Sequence, residues 1–167
     1  MTRSSQAESI LARINTETKL GDLRKFAGEI KKDHGLALEL WSTGQFLPRQ
    51  LAILIMDKKQ LSQEFIDKLD NDIRQHSADE RLQLIDWLMA NQLSKDKKTI
   101  TLMETWENSQ SSLQRRVFWY HQARLRWVGQ TPPPNSEEYS FIFFDFKLLL
   151  NIELYPNNNR GSSTGTL

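Results

Sequence analysis

The sequence of 167 residues contains no cysteine, only three histidines, and few residues that interrupt helices. The absence of cysteine excludes disulfide bonds and thiol chemistry and favours an intracellular location. His34, His76 and His121 are scattered and lack the spacing of metal ligands, so we expect no metal and no cofactor. With seven glycines and five prolines, three of them consecutive, long stretches of the chain are free to form helices.

Long apolar runs are also missing. No run reaches the length that crosses a membrane, and the polar N-terminus lacks the apolar core of a signal peptide. The formal net charge is +1, and the 26% charged and 38% hydrophobic residues are ordinary for a soluble globular protein. We therefore predict a cytoplasmic protein with no membrane partner, with one main domain and a short appendage.

Apolar residues recur at helical spacing up to about residue 130, with short polar breaks between the segments. Three helices are predicted with both ends: 4–14, Asp22 to Asp33 with Asp22 as N-cap, and 36–44. Four more are predicted by their starts alone, at Pro48, Ser62, Ser77 and Ser94. Because no convincing strand pattern interrupts them, the fold class is predicted to be all-α. Trp41, Trp87 and Trp127 follow one another at intervals of 46 and 40 residues, which suits a solenoid of antiparallel, HEAT-like helix pairs.

The most informative stretch is 111–129, SSLQRRVFWYHQARLRWVG, a predicted helix of about five turns that ends before three prolines. From 113 to 129 it contains four arginines and no acid. The predicted inward stripe is Leu113, Val117, Tyr120, Ala123 and Trp127. The predicted polar surface is Arg115, Trp119, Gln122 and Arg126, widened by His121 and Arg124. Arginines among aromatic residues can bind phosphates by charge and flat groups by stacking; the alternative is a buried aromatic stripe between solvated arginines.

The residues after the prolines follow a different pattern. Between Phe144 and Tyr155 the even positions are apolar and several odd positions are polar, a period typical of a strand. Residues 157–166 are of low complexity. We predict a HEAT-like domain over 1–134 and a tail over 135–167, irregular or disordered, that makes an otherwise monomeric protein prone to aggregation.

Three stretches carry a family resemblance: LALELWSTGQFLPRQLAILIMD at 36–57, LIDWLMANQLSKDKK at 84–98, and WENSQSSLQRRVFWYHQARLRWVGQTPPP at 106–134. Together they resemble the DNA alkylation repair enzymes, the AlkD-like alkylpurine DNA glycosylases built of HEAT-like repeats. The resemblance covers roughly residues 20–134. It implies a curved solenoid that binds duplex DNA containing alkylated bases and excises purines alkylated at N3 or N7.

The resemblance also implies which residues act. The family's aspartate, which stabilises the oxocarbenium-like sugar and orients water, matches Asp86. The family's arginine, which holds a backbone phosphate near the lesion, matches Arg116. A purely structural ion pair between these two residues is the alternative. The residues predicted to bind DNA are Trp87, Arg115, Trp119, Arg124 and Arg126.

Two features depart from the family pattern. Leu84 and Ile85 stand where the family commonly has aromatic residues, and the resemblance ends near Pro134, as expected of a truncated member with weak or absent activity. Three functions therefore stay open at this point. They are a DNA glycosylase or its inactive truncated form, a non-catalytic module that binds nucleic acid, and a solenoid that binds an acidic protein.

Overall fold

A computed structural model describes residues 3–127 of the chain, except for the side chains of Arg126 and Trp127. Within these residues there are eight α-helices, three short 3-10 turns and no strand, which confirms the predicted all-α class. The helices are α1 (Ser5–Arg13), α2 (Leu20–Ile30), α3 (His34–Trp41), α4 (Phe46–Ile55), α5 (Gln63–Ile73), α6 (Ala78–Asn91), α7 (Lys97–Glu104) and α8 (Ser112–Trp127). Helices α1 to α7 lie entirely within one compact unit, residues 1–122.

Side-chain caps at the N-termini explain where most of the helices begin. The capping side chains, each accepting a backbone N–H of the first turn, are those of Ser4, Asp33, Ser62, Ser77, Asp96 and Ser111. The predicted starts at Ser62 and Ser77 are confirmed. Two other predicted caps are wrong. Asp22 lies inside α2, where its carboxylate accepts the backbone N–H of Lys19 at 2.9 Å. Ser94 lies in a 3-10 turn, and Asp96 caps α7.

The helices stack in the manner of a helical repeat. Helix α1 packs on α3, α2 packs on α4, and α4 packs on α6, so that helices two apart in the chain are neighbours. Consecutive helices also pack together, α3 on α4 and α5 on α6. The buried apolar side chains between them form one continuous cluster, with Leu40, Leu51, Ile66 and Leu84 among its members. Each repeat therefore buries the face of the next, as expected for stacked helix pairs.

Arg49, a buried residue of α4, joins the end of α3 to the end of α5 and to His76 in the connection that follows α5. The Nε of Arg49 donates to the carbonyl of Trp41 at 3.2 Å, and its Nη1 donates to the carbonyl of Asp72 at 2.8 Å. The same Nη1 lies 2.7 Å from His76 Nε2. Since a guanidinium only donates, this histidine nitrogen accepts, and Nδ1 donates to Glu80 at 2.9 Å. Burial lowers the pKa of Arg49, and the nearby charge of Asp72 partly offsets this effect.

Two predictions concern residues that the structure does not describe. The period-two pattern between 144 and 155 and the proposed domain limit at 134 both lie beyond residue 127. They stay predictions, together with the expectation that the tail promotes aggregation. For residues 3–127, no helix is long and apolar enough to cross a membrane.

Candidate functional site

Asp86 and Arg116 form a bidentate ion pair between α6 and α8. The Nε of Arg116 donates to Oδ1 of Asp86 at 3.0 Å, and its Nη2 donates to Oδ2 at 2.8 Å. This is the fork-to-carboxylate geometry in which an arginine fixes both the position and the plane of a carboxylate. The ion pair that the sequence analysis gave as the structural alternative is thus present, and the roles of Asp86 and Arg116 in DNA binding and excision stay predictions.

The helical periodicity of α6 places Asp86 outside the core. Leu84, Ile85, Leu88 and Met89 are all buried, and Asp86 projects between them toward the accessible side of the helix. Its side chain keeps 32% of its accessible surface, against 17% for Arg116. A carboxylate has about four acceptor positions, of which Arg116 uses two. Asp86 is therefore held in a fixed position and can still accept a hydrogen bond from a water molecule or a ligand.

The two tryptophans predicted to bind DNA are both half-buried. Trp87, next to Asp86 on α6, donates its indole N–H to the carbonyl of Gln50 on α4 at 3.1 Å. The guanidinium of Arg24, on α2, lies 4.8 Å from the centre of the Trp87 ring. Trp119 packs edge to face against Phe118, with the ring centres 4.9 Å apart, and contacts the core cluster. Both rings thus contribute to packing, which limits the ring surface available to stack on a base.

Of the three arginines of α8 that are predicted to bind DNA, the structure describes the side chains of two, Arg115 and Arg124. Arg115 is partly exposed, and its guanidinium donates to the carbonyl of Ser109. Arg124 is partly exposed as well. The side chain of Arg126 lies outside the described residues. Arg115 and Arg124 are therefore partly accessible to solvent, and their binding to phosphate stays a prediction.

The predicted faces of α8 are wrong in part. Residues assigned to the polar surface, His121 and Gln122, are buried at 5% and 8% exposure, and Tyr120, assigned to the inward stripe, is only half-buried. The buried side chains follow steps of four residues in two adjacent rows, Leu113, Val117 and His121 beside Gln114, Phe118 and Gln122. The prediction relied on apolar residues alone, and so it rotated the buried face away from these polar positions.

The sequence analysis missed two residues here, one next to Asp86 and one against Trp87. Leu82 is one helical turn before Asp86 on α6 and is 40% exposed, although it is a large apolar residue. Arg24 is exposed above Trp87. By contrast, Leu84 and Ile85 have almost no accessible surface and cannot touch a nucleotide. The spacing of four residues from Asp86 could have identified Leu82, whereas no local signal identifies Arg24.

Among the described residues, no group of three or more histidine, aspartate or glutamate side chains has the arrangement of a metal site. The model of one protein family, the DNA alkylation repair enzymes, matches residues 17–141 of the chain. That range includes α2 to α8 and contains both Asp86 and Arg116. No curated protein and no solved structure matches the chain significantly.

Proposed function

Because the chain belongs to the DNA alkylation repair enzyme family, we propose that it binds duplex DNA and hydrolyses the N-glycosidic bond of purines alkylated at N3 or N7. Membership indicates a protein of DNA alkylation repair that interacts with DNA. The observation that carries the finer proposal is the geometry of Asp86, a carboxylate fixed by two charge-assisted hydrogen bonds yet one-third accessible.

The chemistry of such a lesion requires little from the protein. A purine alkylated at N3 or N7 is cationic, so the glycosidic bond breaks when its electron pair moves to the base and neutralises it. Positive charge then develops on the sugar, and water adds to the sugar carbon and releases a proton. A carboxylate already fixed near that carbon stabilises the developing charge without reorganising. In the proposed mechanism Asp86 is this carboxylate, since it is already held in place by Arg116, and it also accepts the proton or orients the water.

Arg116 supports this role of Asp86 by positioning it. Two of its five N–H donors are used by the carboxylate, and among the described residues the guanidinium has no other hydrogen bond. Three donors therefore remain for a backbone phosphate beside the lesion. The other proposed phosphate ligands are Arg115, Arg124 and Arg126, while Trp87 and Trp119 are proposed to support the nucleotide from their half-buried positions.

A non-catalytic DNA-binding module is the second candidate. It is favoured by the burial of Leu84 and Ile85, which leaves no aromatic ring at the positions that commonly hold the nucleotide in the family. The ion pair of Asp86 with Arg116 would then only join α6 to α8. In that case the protein binds DNA without releasing bases.

One experiment separates these functions. Duplex DNA containing N7-methylguanine and N3-methyladenine is incubated with the full chain, and released bases are quantified while affinity is measured over a range of salt concentrations. A glycosylase releases bases and binds with strong salt dependence. A DNA-binding module shows the salt dependence alone, and a protein-binding solenoid shows neither. Absence of base release at saturating protein would contradict the proposed activity.

A further inference from the structure

We propose that a row of lysines along one edge of the helical stack binds the phosphate backbone of DNA beside the site of Asp86; this inference rests on the proposed function. The row, called the lysine rim, consists of Lys31, Lys32, Lys58, Lys59, Lys95, Lys97 and Lys98. These residues lie in the connections that leave α2, α4 and α6 and in the first turn of α7. The connections that leave α1, α3 and α5 contain one lysine between them, so the enrichment is confined to one edge.

Hydrogen bonds between the three connections show that they are neighbours in space. The backbone N–H of Asp33, after α2, donates to the carbonyl of Ile55 at the end of α4 at 2.9 Å. The side chain of Gln92, after α6, donates to the carbonyl of Met56 at 3.2 Å. The Nζ of Lys58 donates to the carbonyl of Lys95. The lysines therefore form one continuous surface.

The charge of the rim is mostly uncompensated. Each connection also contains an aspartate, but its carboxylate is turned to a backbone N–H: Asp33 accepts from Leu36, Asp57 from Lys59, and Asp96 from Lys98. Seven lysines against three aspartates leave a formal excess of four positive charges, although the whole chain carries only +1. Within the part of the chain that the structure describes, none of these lysines has an ion-pair partner, and all but the half-exposed Lys58 are exposed.

The composition of the rim favours a nucleic acid over a protein as its ligand. Lysine is depleted in protein interfaces, which rely on aromatic residues and arginine, whereas it binds phosphate well as a point charge. Helices α2, α4 and α6 pack side by side, and packed helices are about 8–10 Å apart, so the rim extends over roughly 20 Å. A DNA duplex offers one phosphate for about every 1.7 Å of its axis, and several phosphates can meet the rim at once.

The rim is also close enough to Asp86 to act on the same duplex. Helix α6 ends at Asn91, five residues after Asp86, which is a rise of about 8 Å. Lys95, Lys97 and Lys98 follow directly. A duplex with its damaged nucleotide at Asp86 thus has phosphates of neighbouring base pairs within reach of the rim.

The test measures how the affinity of the full chain for an undamaged duplex depends on salt. The variants are Lys31→Gln/Lys32→Gln and Lys97→Gln/Lys98→Gln. The control, Lys19→Gln/Lys68→Gln, removes the same charge elsewhere, at Lys19 outside the rim and at Lys68, which pairs with Glu64 at 2.8 Å. Each rim variant should lower the slope of log K against log salt by about one to two, since each phosphate contact contributes about 0.9. The control should keep the wild-type slope.

Wild-type slopes in both rim variants would overturn the proposal. The proposal would also be overturned if the rim variants lost binding to phosphatidylserine vesicles or to poly-glutamate but bound DNA as the wild type does. Base release, measured on the same proteins, separates this inference from the function on which it rests. Base release with unchanged slopes means that the rim inference alone fails, whereas reduced slopes without any base release mean that the glycosylase activity alone fails.

Discussion

The hydroxyl of Ser111 donates a hydrogen bond of 2.8 Å to the buried carboxylate of Asp70, 41 residues earlier in the chain. The same hydroxyl oxygen accepts from Arg74 at 2.8 Å and from the backbone N–H of Gln114 at 3.1 Å. Ser111 is thus both the cap of α8 and its connection to α5. Because α8 carries Arg116, this hydrogen-bond network helps to fix the position of the guanidinium that holds Asp86.

Replacement of Ser111 by alanine should destabilise the protein by about 1–2 kcal/mol, since it removes a helix cap and a buried partner of Asp70. The neighbouring and exposed Ser112 provides the matched control, and Ser112→Ala should change the free energy of unfolding by less than about 0.5 kcal/mol. Urea denaturation of the three proteins measures both values. Equal stabilities of the two variants would show that the network around Ser111 contributes nothing.

Arg49→Ala should cost about 3 kcal/mol, because it removes a buried guanidinium and leaves Nε2 of the buried His76 without its donor. Arg13 is a suitable comparison. Both guanidinium groups lie over an aromatic ring, but Arg13 is exposed and pairs with Glu29 at the surface. Arg13→Ala should therefore cost at most about 1 kcal/mol. Thermal and urea unfolding give the two values, and a smaller loss for Arg49→Ala than for Arg13→Ala would contradict the role of the buried network.

Arg126→Ala should weaken binding to any duplex by a similar factor and reduce the salt slope by about one, as expected for loss of a single phosphate contact. Titrations with two unrelated DNA sequences at several salt concentrations measure both effects. Arg13→Ala, which removes an arginine from α1, serves as the charge control. If Arg126→Ala behaves like this control, Arg126 does not contact DNA.

The start of a helix could be predicted from the sequence where a single residue decides its cap. The caps at Ser62 and Ser77 are of this kind, because a serine directly precedes an apolar periodic segment. The predicted cap at Asp22 is wrong because α2 begins earlier, at Leu20, where the Asp22 carboxylate accepts the N–H of Lys19 instead. The predicted cap at Ser94 is wrong because Asp96, two residues later, accepts the N–H of Lys98 and caps α7. The choice between such neighbouring positions is decided by packing rather than by local sequence.

Long-range features required either a family resemblance or the structure itself. The pairing of Asp86 with Arg116 joins residues 30 positions apart, and the sequence suggested it, as an alternative to the family roles, only because the family pattern matched both residues. No pattern in the sequence indicates the contact of Arg49 with His76. On α8, burial of His121 and Gln122 was missed because polar residues carry no apolar signal, although the tertiary packing covers them. The lysines of the rim are far apart in the sequence, and only the fold brings their connections together at one edge.

The central claim is that Asp86 acts in base excision rather than only in an ion pair, and the most direct test compares Asp86→Asn with Asp79→Asn. Both substitutions remove one carboxylate charge from α6, but Asp79 is exposed in the first turn of the helix, away from Arg116. The decisive measurement is the rate of release of N7-methylguanine and N3-methyladenine at saturating protein, together with the affinity for the same duplex. Asp86→Asn should lower the rate by about 100-fold or more with nearly unchanged affinity, while Asp79→Asn keeps the wild-type rate. Equal losses of rate and affinity in Asp86→Asn, or a wild-type rate, would contradict the claim.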